Sequence, residues 1–518
     1  MRASGILLPV FSLPGKYGVG CFSKEACGFI DKLQAAGQKY WQILPLGHAG
    51  GWYSPYQPLS CFAVDPLYID LEDLKKKGLL KQSDLDELCS FVEVISETRV
   101  PHRQLIPEKM ALLKKAFAAS SKADHIPGFQ RFRRKNRDWL SDYALFVSLS
   151  EHFGSADWSK WPRSFKRREP AVLNQYMKEH KKEISFYEWL QFTAHEQWHS
   201  IRKYAHEHGI DIIGDIPIYA AYESADCWAD PQLFKLTPSL RPEAVSGCPP
   251  DAFSEKGQVW GNPLYKWRYH KQTGYSWWIS RLAHNFSLYD VIRLDHFRGF
   301  ESFFSIPAKD ETAENGRWMR GPGMAFFDAV SKALPDSRFI AEDLGFITPA
   351  VNKLIQQTGL PGMKVLQFAF DGNPDNPYLP ENYTENCVAY SGTHDNDTTA
   401  GWYGSLDRKT RKKVTAYLRS CSGSQPESSV KAPEFGVRAA VRSLVAAVMI
   451  SPANTCIIPL QDYLLYDSGA RINTPGTTGD NWCWRMRGDA FDEDTISYIL
   501  SLTKGTGRFN SVRPVTRA

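Results

Sequence analysis

Charged side chains interrupt an apolar run in the segment YDVIRLDHFRGF, residues 289–300. Side chains in a strand alternate between two faces, so Ile292 and Leu294 share one face while Arg293 and Asp295 share the other. A guanidinium beside a carboxyl group favours the ionised carboxylate by Coulomb attraction. The spacing therefore predicts that Asp295 is charged, and a charged carboxylate at a strand end is suited to act as a nucleophile.

Acidic residues close further apolar runs, and the set at such positions is Asp215, Asp295, Glu342 and Asp395. A single acidic residue at a strand end is typically a helix N-cap. Four in one chain, one sharing a face with an arginine and one beside His394, favour a shared chemical role instead.

Paired carboxylates suit reactions that need one group ionised and the other protonated at the same pH. Glu342 follows Ile340 and Ala341 in an apolar run, where partial desolvation favours the neutral acid. Glu342 is therefore predicted to be the general acid and base beside the nucleophile.

Eight strand-length apolar runs must position these side chains: GILLPV, YWQILPL, DIIGDIPI, YDVIRLD, FIAEDLG, GMKVLQF, CVAYSGTHD and TCIIPLQD. Helices are predicted between them, one from Ser23 to a stop at Gly37 and another from an N-cap at Thr348 to Gly359. The alternation indicates an α/β fold, and eight strands close a (β/α)8 TIM barrel, whose catalytic groups come from the C-terminal strand ends. Two doubly wound domains would give a similar alternation of strands and helices.

Long gaps between the runs predict inserted structure around the C-terminal mouth of a single barrel over 1–518. The gap over 65–197 is rich in Lys and Glu with helical spacing, which predicts a mainly helical subdomain. The gap over 219–288 contains SGCPPDAFSEKGQVWGNP, in which Gly, Pro and aromatic residues favour an ordered functional loop over 247–261.

The composition is that of an ordinary globular protein, with 43% hydrophobic and 23% charged residues among 518. The 62 basic and 57 acidic residues are too balanced for a nucleic-acid-binding surface over the whole chain. RFRRKNR at 131–137 is a local exception, and the acidic residues after it favour a solvated helix face over a phosphate-binding patch.

Several other classes of site lack their motifs. The ten Cys include no C-x-x-C pair, and no G-x-G-x-x-G, Walker or H-E-x-x-H motif is present, so neither a metal nor an organic cofactor is expected. No stretch reaches the roughly 18 apolar residues of a membrane span. Nothing at the N-terminus resembles a signal peptide, and we expect a cytoplasmic protein without a membrane partner.

Motifs spread over nearly the whole chain resemble those of one family, the 4-α-glucanotransferases, also called amylomaltases or disproportionating enzymes, relatives of the α-amylase superfamily. The motifs are LLPVFSLPGKYGVG, YWQILPLG, SPYQPLS, GDIPIY, PPDAFSEKGQVWGNPLY, VIRLDHFRGF, AEDLG, SGTHDNDT and NTPGTTGDNWCWR. The resemblance implies transfer of α-1,4-glucan segments from a donor to the 4-hydroxyl group of an acceptor glucan or glucose, by retaining double displacement. A hydrolase with the same carboxylates and a non-catalytic glucan-binding protein are the alternatives.

The resemblance also implies roles for residues within these motifs. The nucleophile would be Asp295, the acid and base Glu342, and the third, transition-state-stabilising carboxylate Asp395, with Asp397 as the alternative to Asp395. Substrate-binding roles would fall to Tyr56, Asp215, Trp260, Arg293, His296, His394 and Asn473. The segment 247–261 would cover the cleft, with Trp260 stacking on the glucan, and aromatic residues such as Phe253 and Trp260 would keep water from the intermediate.

Overall fold

The computed structural model describes residues 2–120, 127–250, 254–421 and 436–510. Its strands are β1 (Ala3–Leu7), β2 (Tyr40–Gln42), β3 (Asp211–Ile216), β4 (Ala244–Cys248), β5 (Gln258–Pro263), β6 (Val291–Leu294), β7 (Ser302–Pro307), β8 (Arg317–Arg320), β9 (Phe339–Ala341), β10 (Gly362–Val365), β11 (Cys387–Tyr390) and β12 (Thr455–Pro459).

Eight of these strands form a closed parallel barrel in the order β1-β12-β11-β10-β9-β6-β3-β2. Each contains part of one of the eight apolar runs, so the predicted TIM barrel is confirmed and the doubly wound alternative is wrong. The remaining strands form an antiparallel sheet in the order β5-β4-β7-β8. This sheet was not predicted, and it holds the chain segments that follow the barrel strands β3 and β6.

The helices pack outside the barrel and within the insertions. They are α1 (Lys24–Ala35), α2 (Leu71–Lys76), α3 (Gln82–Ile95), α4 (His102–Ala119), α5 (Pro127–Lys135), α6 (Arg137–His152), α7 (Arg163–Lys166), α8 (Pro170–Glu179), α9 (Lys181–Glu207), α10 (Ala225–Ala229), α11 (Trp267–Gln272), α12 (Ser276–Leu288), α13 (Met324–Ala333), α14 (Pro349–Thr358), α15 (Thr399–Ser405), α16 (Arg408–Cys421), α17 (Val437–Ile450), α18 (Leu460–Tyr463) and α19 (Glu493–Gly505). No helix in these described ranges is long and apolar enough to span a bilayer.

Both helices predicted from end signals are confirmed. The apolar face of α1 is buried through Ala26, Phe29, Ile30 and Leu33. Helix α14 begins where the Thr348 hydroxyl accepts a hydrogen bond from the Val351 N–H, and it ends at Gly359, whose φ of +66° suits glycine.

Helices α2–α9 lie between β2 and β3, where the mainly helical subdomain is predicted. The predicted boundary at residue 197 falls inside α9, whose next residue, Trp198, is fully buried and lies 6.4 Å from the ring of Trp41 in β2. One helix therefore serves both the insertion and the barrel wall. The division into a barrel and insertions at 65–197 and 219–288 stays a prediction.

The barrel strands alternate between two cores. Val291 belongs to the cluster inside the barrel, together with Ile213, Ile340 and Val388. Its neighbours in β6, Ile292 and Leu294, pack instead in the outer core. This period of two directs Arg293 into the barrel interior, on the same side as Val291.

A buried arginine, Arg508, connects chain segments at the N-terminal end of the barrel strands. The Arg508 guanidinium donates hydrogen bonds to the carbonyl groups of Ala3, Met449, Ser451, Ala453 and Asn454, at 2.7–3.3 Å. Its side chain is fully buried, so these carbonyl groups cannot turn to water. The contacts fasten the start of β1 to the loop that leads into β12.

We expect Arg508→Met to lower the free energy of unfolding by about 3 kcal/mol or more, because buried carbonyl groups lose their donors. Urea unfolding monitored by tryptophan fluorescence measures the change. Arg438→Met, on the exposed face of α17, is the matched control and should stay within about 0.5 kcal/mol of the parent. Equal stability of the two variants would contradict the role of Arg508.

Candidate active site

An arginine links two carboxyl groups at the C-terminal end of β3 and β6. The register pairs Asp215 with Arg293, and Arg293 Nη1 lies 2.7 Å from Asp215 Oδ2 and 2.9 Å from Asp295 Oδ1. The Asp215 side chain is completely buried, whereas that of Asp295 is 26% exposed. Arg293 and Asp295 therefore share one face as predicted, and Asp295 is the carboxylate of this group that faces solvent.

Glu342 lies beside Asp295 because of strand register. Leu294 of β6 pairs with Ala341 of β9, so the residues that follow them, Asp295 and Glu342, leave adjacent strands at the same level. Neighbouring strands are about 4.8 Å apart. Backbone N–H groups hold the carboxylate of Glu342: His296 N–H donates to Oε2 and Leu344 N–H donates to Oε1, each at 2.7 Å.

Burial raises the pKa of Glu342 to about 7, with the positive charge of Arg293 opposing this shift and the negative charge of Asp295 adding to it. The two backbone hydrogen bonds also lower the pKa, and their effect is smaller. Near neutral pH the group therefore exists in both protonation states. That is the property a residue needs to donate a proton in one step and accept one in the next.

Tyr56 joins Asp215 to His394 on the other side of the site. Its hydroxyl donates to Asp215 Oδ2 at 2.7 Å and lies 2.9 Å from His394 Nε2. The two rings are stacked, with centroids 5.2 Å apart. The Tyr56 hydroxyl group therefore bridges Asp215 and His394. This chain of contacts fixes three polar groups around one point.

Asp395 is held by residues close to the C-terminus. Asn473 Nδ2 donates to Asp395 Oδ1 at 2.6 Å, and Arg471 Nη2 donates to the Asp395 carbonyl at 2.7 Å. His394 Nε2 lies 3.4 Å from the other carboxylate oxygen, and the side chain remains 45% exposed. Asp395 is therefore oriented and accessible at once, which leaves its second oxygen for a ligand hydroxyl group.

Both carboxylate oxygens of Asp397, the predicted alternative, already have hydrogen-bond partners. Oδ1 accepts from the Thr398 N–H at 2.8 Å and Oδ2 accepts from the Ser468 hydroxyl at 2.7 Å. This arrangement favours Asp395 over Asp397 as the third carboxylate.

Trp260 and His296 meet at the rim of the site. The indole of Trp260 lies edge-on to the imidazole of His296, with ring centroids 4.8 Å apart. Burial lowers the pKa of His296 to about 4, so this imidazole is neutral at pH 7. The backbone of His296 is left-handed, with a φ of +50°, which turns the chain after Asp295 and directs its N–H to Glu342.

The structure thus brings together all ten residues predicted from the sequence. They are Tyr56, Asp215, Trp260, Arg293, Asp295, His296, Glu342, His394, Asp395 and Asn473. Part of the predicted loop 247–261, including Phe253, lies outside the described residues. In the described part of the chain, no group of three or more His, Cys, Asp or Glu residues has the arrangement of a metal site.

Comparison with known proteins decides the family. A family model described as 4-alpha-glucanotransferase matches residues 8–491 of the chain. The chain belongs to the 4-alpha-glucanotransferase family. The membership predicted from the motifs is therefore confirmed.

Three relatives of the 4-alpha-glucanotransferase family match over nearly their full lengths. A 4-alpha-glucanotransferase of Clostridium butyricum is 41% identical over 501 residues, covering 96% of this chain and 99% of that protein. One of Thermus thermophilus is 40% identical, covering 98% and 99%. The amylomaltase of Streptococcus agalactiae in complex with acarbose superposes with a TM-score of 0.90 at 34% identity, covering 98% and 100%.

Two residues of the C-terminal loop were not predicted for this 4-alpha-glucanotransferase-family site. Trp482 lies 5.5 Å from the ring of Tyr56 and 6.0 Å from that of His394, and Arg471 holds the main chain of Asp395. Trp482 lies in the motif NTPGTTGDNWCWR, but the motif has no strand or helix period that would indicate where its side chains point. The Trp and Asn residues concentrated in that motif were the sequence feature that could have indicated ligand contacts.

Tyr56→Phe should lower kcat/KM about tenfold, because removing the hydroxyl leaves a buried oxygen of Asp215 and the nitrogen of His394 without their shared partner. Initial rates with maltotriose measure the effect. Tyr204→Phe is the matched control, since its hydroxyl also donates to a carboxylate, Asp31, but on the surface of α9. If kcat/KM of Tyr56→Phe equals that of the parent protein, the hydroxyl group of Tyr56 has no role in the reaction.

Proposed function

We propose that this chain transfers α-1,4-glucan segments from a donor maltodextrin to the 4-hydroxyl group of an acceptor glucan or glucose. The observation that carries the proposal is the pair Asp295 and Glu342 on adjacent strands. Asp295 faces solvent with a guanidinium at 2.9 Å, whereas burial raises the pKa of Glu342 to about 7. One carboxylate is thus suited to bond to carbon, and the other to handle a proton.

In the first step, Asp295 attacks the anomeric carbon of the donor glucose. The bond from that carbon to the glycosidic oxygen breaks, and Glu342 gives its proton to the departing oxygen. The product is a covalent β-glucosyl ester of Asp295 together with the released end of the donor. Arg293 stabilises the carboxylate before attack, and its contact with Asp295 Oδ1 leaves Oδ2 for the anomeric carbon.

In the second step, the ionised Glu342 takes the proton of the acceptor 4-hydroxyl group, and that oxygen displaces Asp295. Two inversions restore the α configuration. A retaining double displacement of this kind requires carboxyl groups about 5 to 5.5 Å apart, and the register of β6 and β9 supports such a separation.

The remaining polar groups act on the donor glucose. We assign Asp395 to sugar hydroxyl groups whose hydrogen bonds strengthen as the ring flattens, which raises turnover rather than affinity alone. Tyr56, Asp215 and His394 bind the same sugar, and Asn473 holds Asp395 toward it. Trp260 stacks on the glucan beside His296, which favours an acceptor sugar over water at the intermediate.

Maltotriose as the only substrate tests the proposed function. We expect glucose together with maltodextrins longer than maltotriose, separated by anion-exchange chromatography. Glucose and maltose without longer products would show a hydrolase instead. Absence of any product would show a glucan-binding protein without activity.

The proposed compartment is the cytoplasm. The nine cysteines whose side chains the structure describes are all free thiols, as expected in a reducing compartment.

A further inference from the structure

A second concave site lies away from the catalytic carboxylates. It is a cavity of about 460 Å³ between the segment that follows β5 and the hairpin of β7 and β8. None of Asp215, Asp295, Glu342 and Asp395 lines it. Its volume is in the range of sites that bind small molecules, about 300–1,000 Å³.

The cavity is lined by four cationic side chains: Lys235, Lys266, Arg268 and Arg320. No acidic residue in the described part of the chain lines it. Within those same residues, none of the four side chains takes part in an ion pair or a side-chain hydrogen bond. Like charges in one concavity repel each other and concentrate positive potential there, so the cavity favours an anion.

Lys235 is a partly buried cation beside an aromatic ring. Its Nζ lies 5.2 Å from the ring centroid of the buried Phe303. Burial lowers the pKa of Lys235, the charge of Arg317 lowers it further, and Glu243 opposes the shift. The charge of Glu243 thus offsets only part of the effect of burial on the Lys235 ammonium group. An anion in the cavity would stabilise the charged form of this group.

Aromatic side chains form most of the remaining lining, with Gln272 and Met319. Trp267 and Tyr269 are half-buried in the wall, and Phe303 is buried. Half-buried rings of this kind present an apolar face to a ligand such as a sugar. Arginine pairs with phosphate through two parallel hydrogen bonds, and both arginines are exposed at the opening.

We propose that this cavity binds a phosphorylated monosaccharide, with the phosphoryl group on Arg268 and Arg320 and the sugar ring on Trp267 and Tyr269. A neutral glucan offers no charge to the four cations, and inorganic phosphate offers no ring to the aromatic wall. The site is separate from the proposed transfer reaction and does not depend on it.

Isothermal titration calorimetry of the full chain with glucose 1-phosphate at low ionic strength tests the proposal. We expect binding that weakens at least tenfold in the double variant Arg268→Ala/Arg320→Ala and stays unchanged in Asp295→Asn. Inorganic phosphate should bind at least tenfold more weakly than glucose 1-phosphate. Any heat from glucose, a proposed acceptor in the catalytic cleft, should be the same in the parent and in the double variant. Arg137→Ala is the control for lost positive charge, since this side chain is 81% exposed in the RFRRKNR motif.

Several results would overturn the proposal. Binding that survives in the double variant and is lost in Asp295→Asn would place the sugar phosphate in the catalytic cleft. Equal affinity for inorganic phosphate would show that the sugar ring does not contribute to binding. Binding of AMP but not of glucose 1-phosphate would show that the ligand is a nucleotide. No heat with any of these probes would also refute it. Unchanged activity on maltotriose verifies that the double variant is folded.

Discussion

Asp295→Ala should lower transfer from maltotriose by roughly 10⁴-fold or more, because the covalent intermediate cannot form without its carboxylate. The truncated side chain leaves space next to the anomeric carbon. Azide added with α-maltosyl fluoride should occupy that space, attack from the same side as the lost carboxylate and release β-maltosyl azide. Proton NMR of the anomeric hydrogen distinguishes this product from the α anomer.

Asp328→Ala, an exposed carboxylate on α13, is the matched control and should retain parental activity. Substantial transfer by Asp295→Ala without azide would remove Asp295 from the nucleophile's role. An α-maltosyl azide product would assign it to proton transfer instead.

Glu342→Ala should lower transfer from maltotriose by about 10²- to 10⁴-fold, the usual contribution of a general acid and base. Fluoride departs without a proton, so α-maltosyl fluoride should still load Asp295, and the ester should accumulate. Azide needs no base, and its attack on the ester should give α-maltosyl azide. Opposite anomers from the two variants would assign the two carboxylates independently. A β product from Glu342→Ala would reverse the assignment.

The pH dependence follows from the same residue. Burial raises the pKa of Glu342 to about 7, so the protonated fraction needed for the first step is complete below that pH and falls above it. The kcat/KM for maltotriose should therefore fall roughly tenfold per pH unit above about pH 7. Ester formation from α-maltosyl fluoride should lack this alkaline decline. An alkaline decline shared by both donors would point to another titrating group.

Strand positions were the part of this molecule most accessible from sequence. Runs such as YDVIRLD and FIAEDLG contain short strands buried on both faces, and the predicted catalytic residues Asp295 and Glu342 directly follow these strands. The antiparallel sheet was missed because β4 and β5 lie in a segment whose Gly and Pro residues mask a period of two. Its pairing, in which β4 contacts β7 across more than fifty residues, is a long-range property that local patterns do not carry.

The strand-end acids were predictable because burial and alternation act on neighbouring residues. Arg293 lies in β6 and Asp295 directly follows its last residue, so their shared face follows from the period of two. The contact of Tyr56 with Asp215 joins residues 159 positions apart, and only the family motifs placed these two together. Trp482 lies in a family motif but in irregular chain, so no strand or helix period indicated that its ring would reach Tyr56.

The left-handed turn at His296 affects which amino-acid substitutions the site can tolerate during evolution. Main-chain groups, rather than packed side chains, set where the acid lies: His296 N–H grips its carboxylate, and the amide of Phe297 bonds to the carbonyl of Glu342 at 3.0 Å. We therefore expect that substitutions of side chains along the cleft can alter which glucan lengths are accepted without moving Glu342, the proposed proton donor, relative to Asp295. We therefore expect substrate preference to vary among relatives of this fold, while the anomeric configuration of the product stays the same because the backbone fixes the two carboxyl groups.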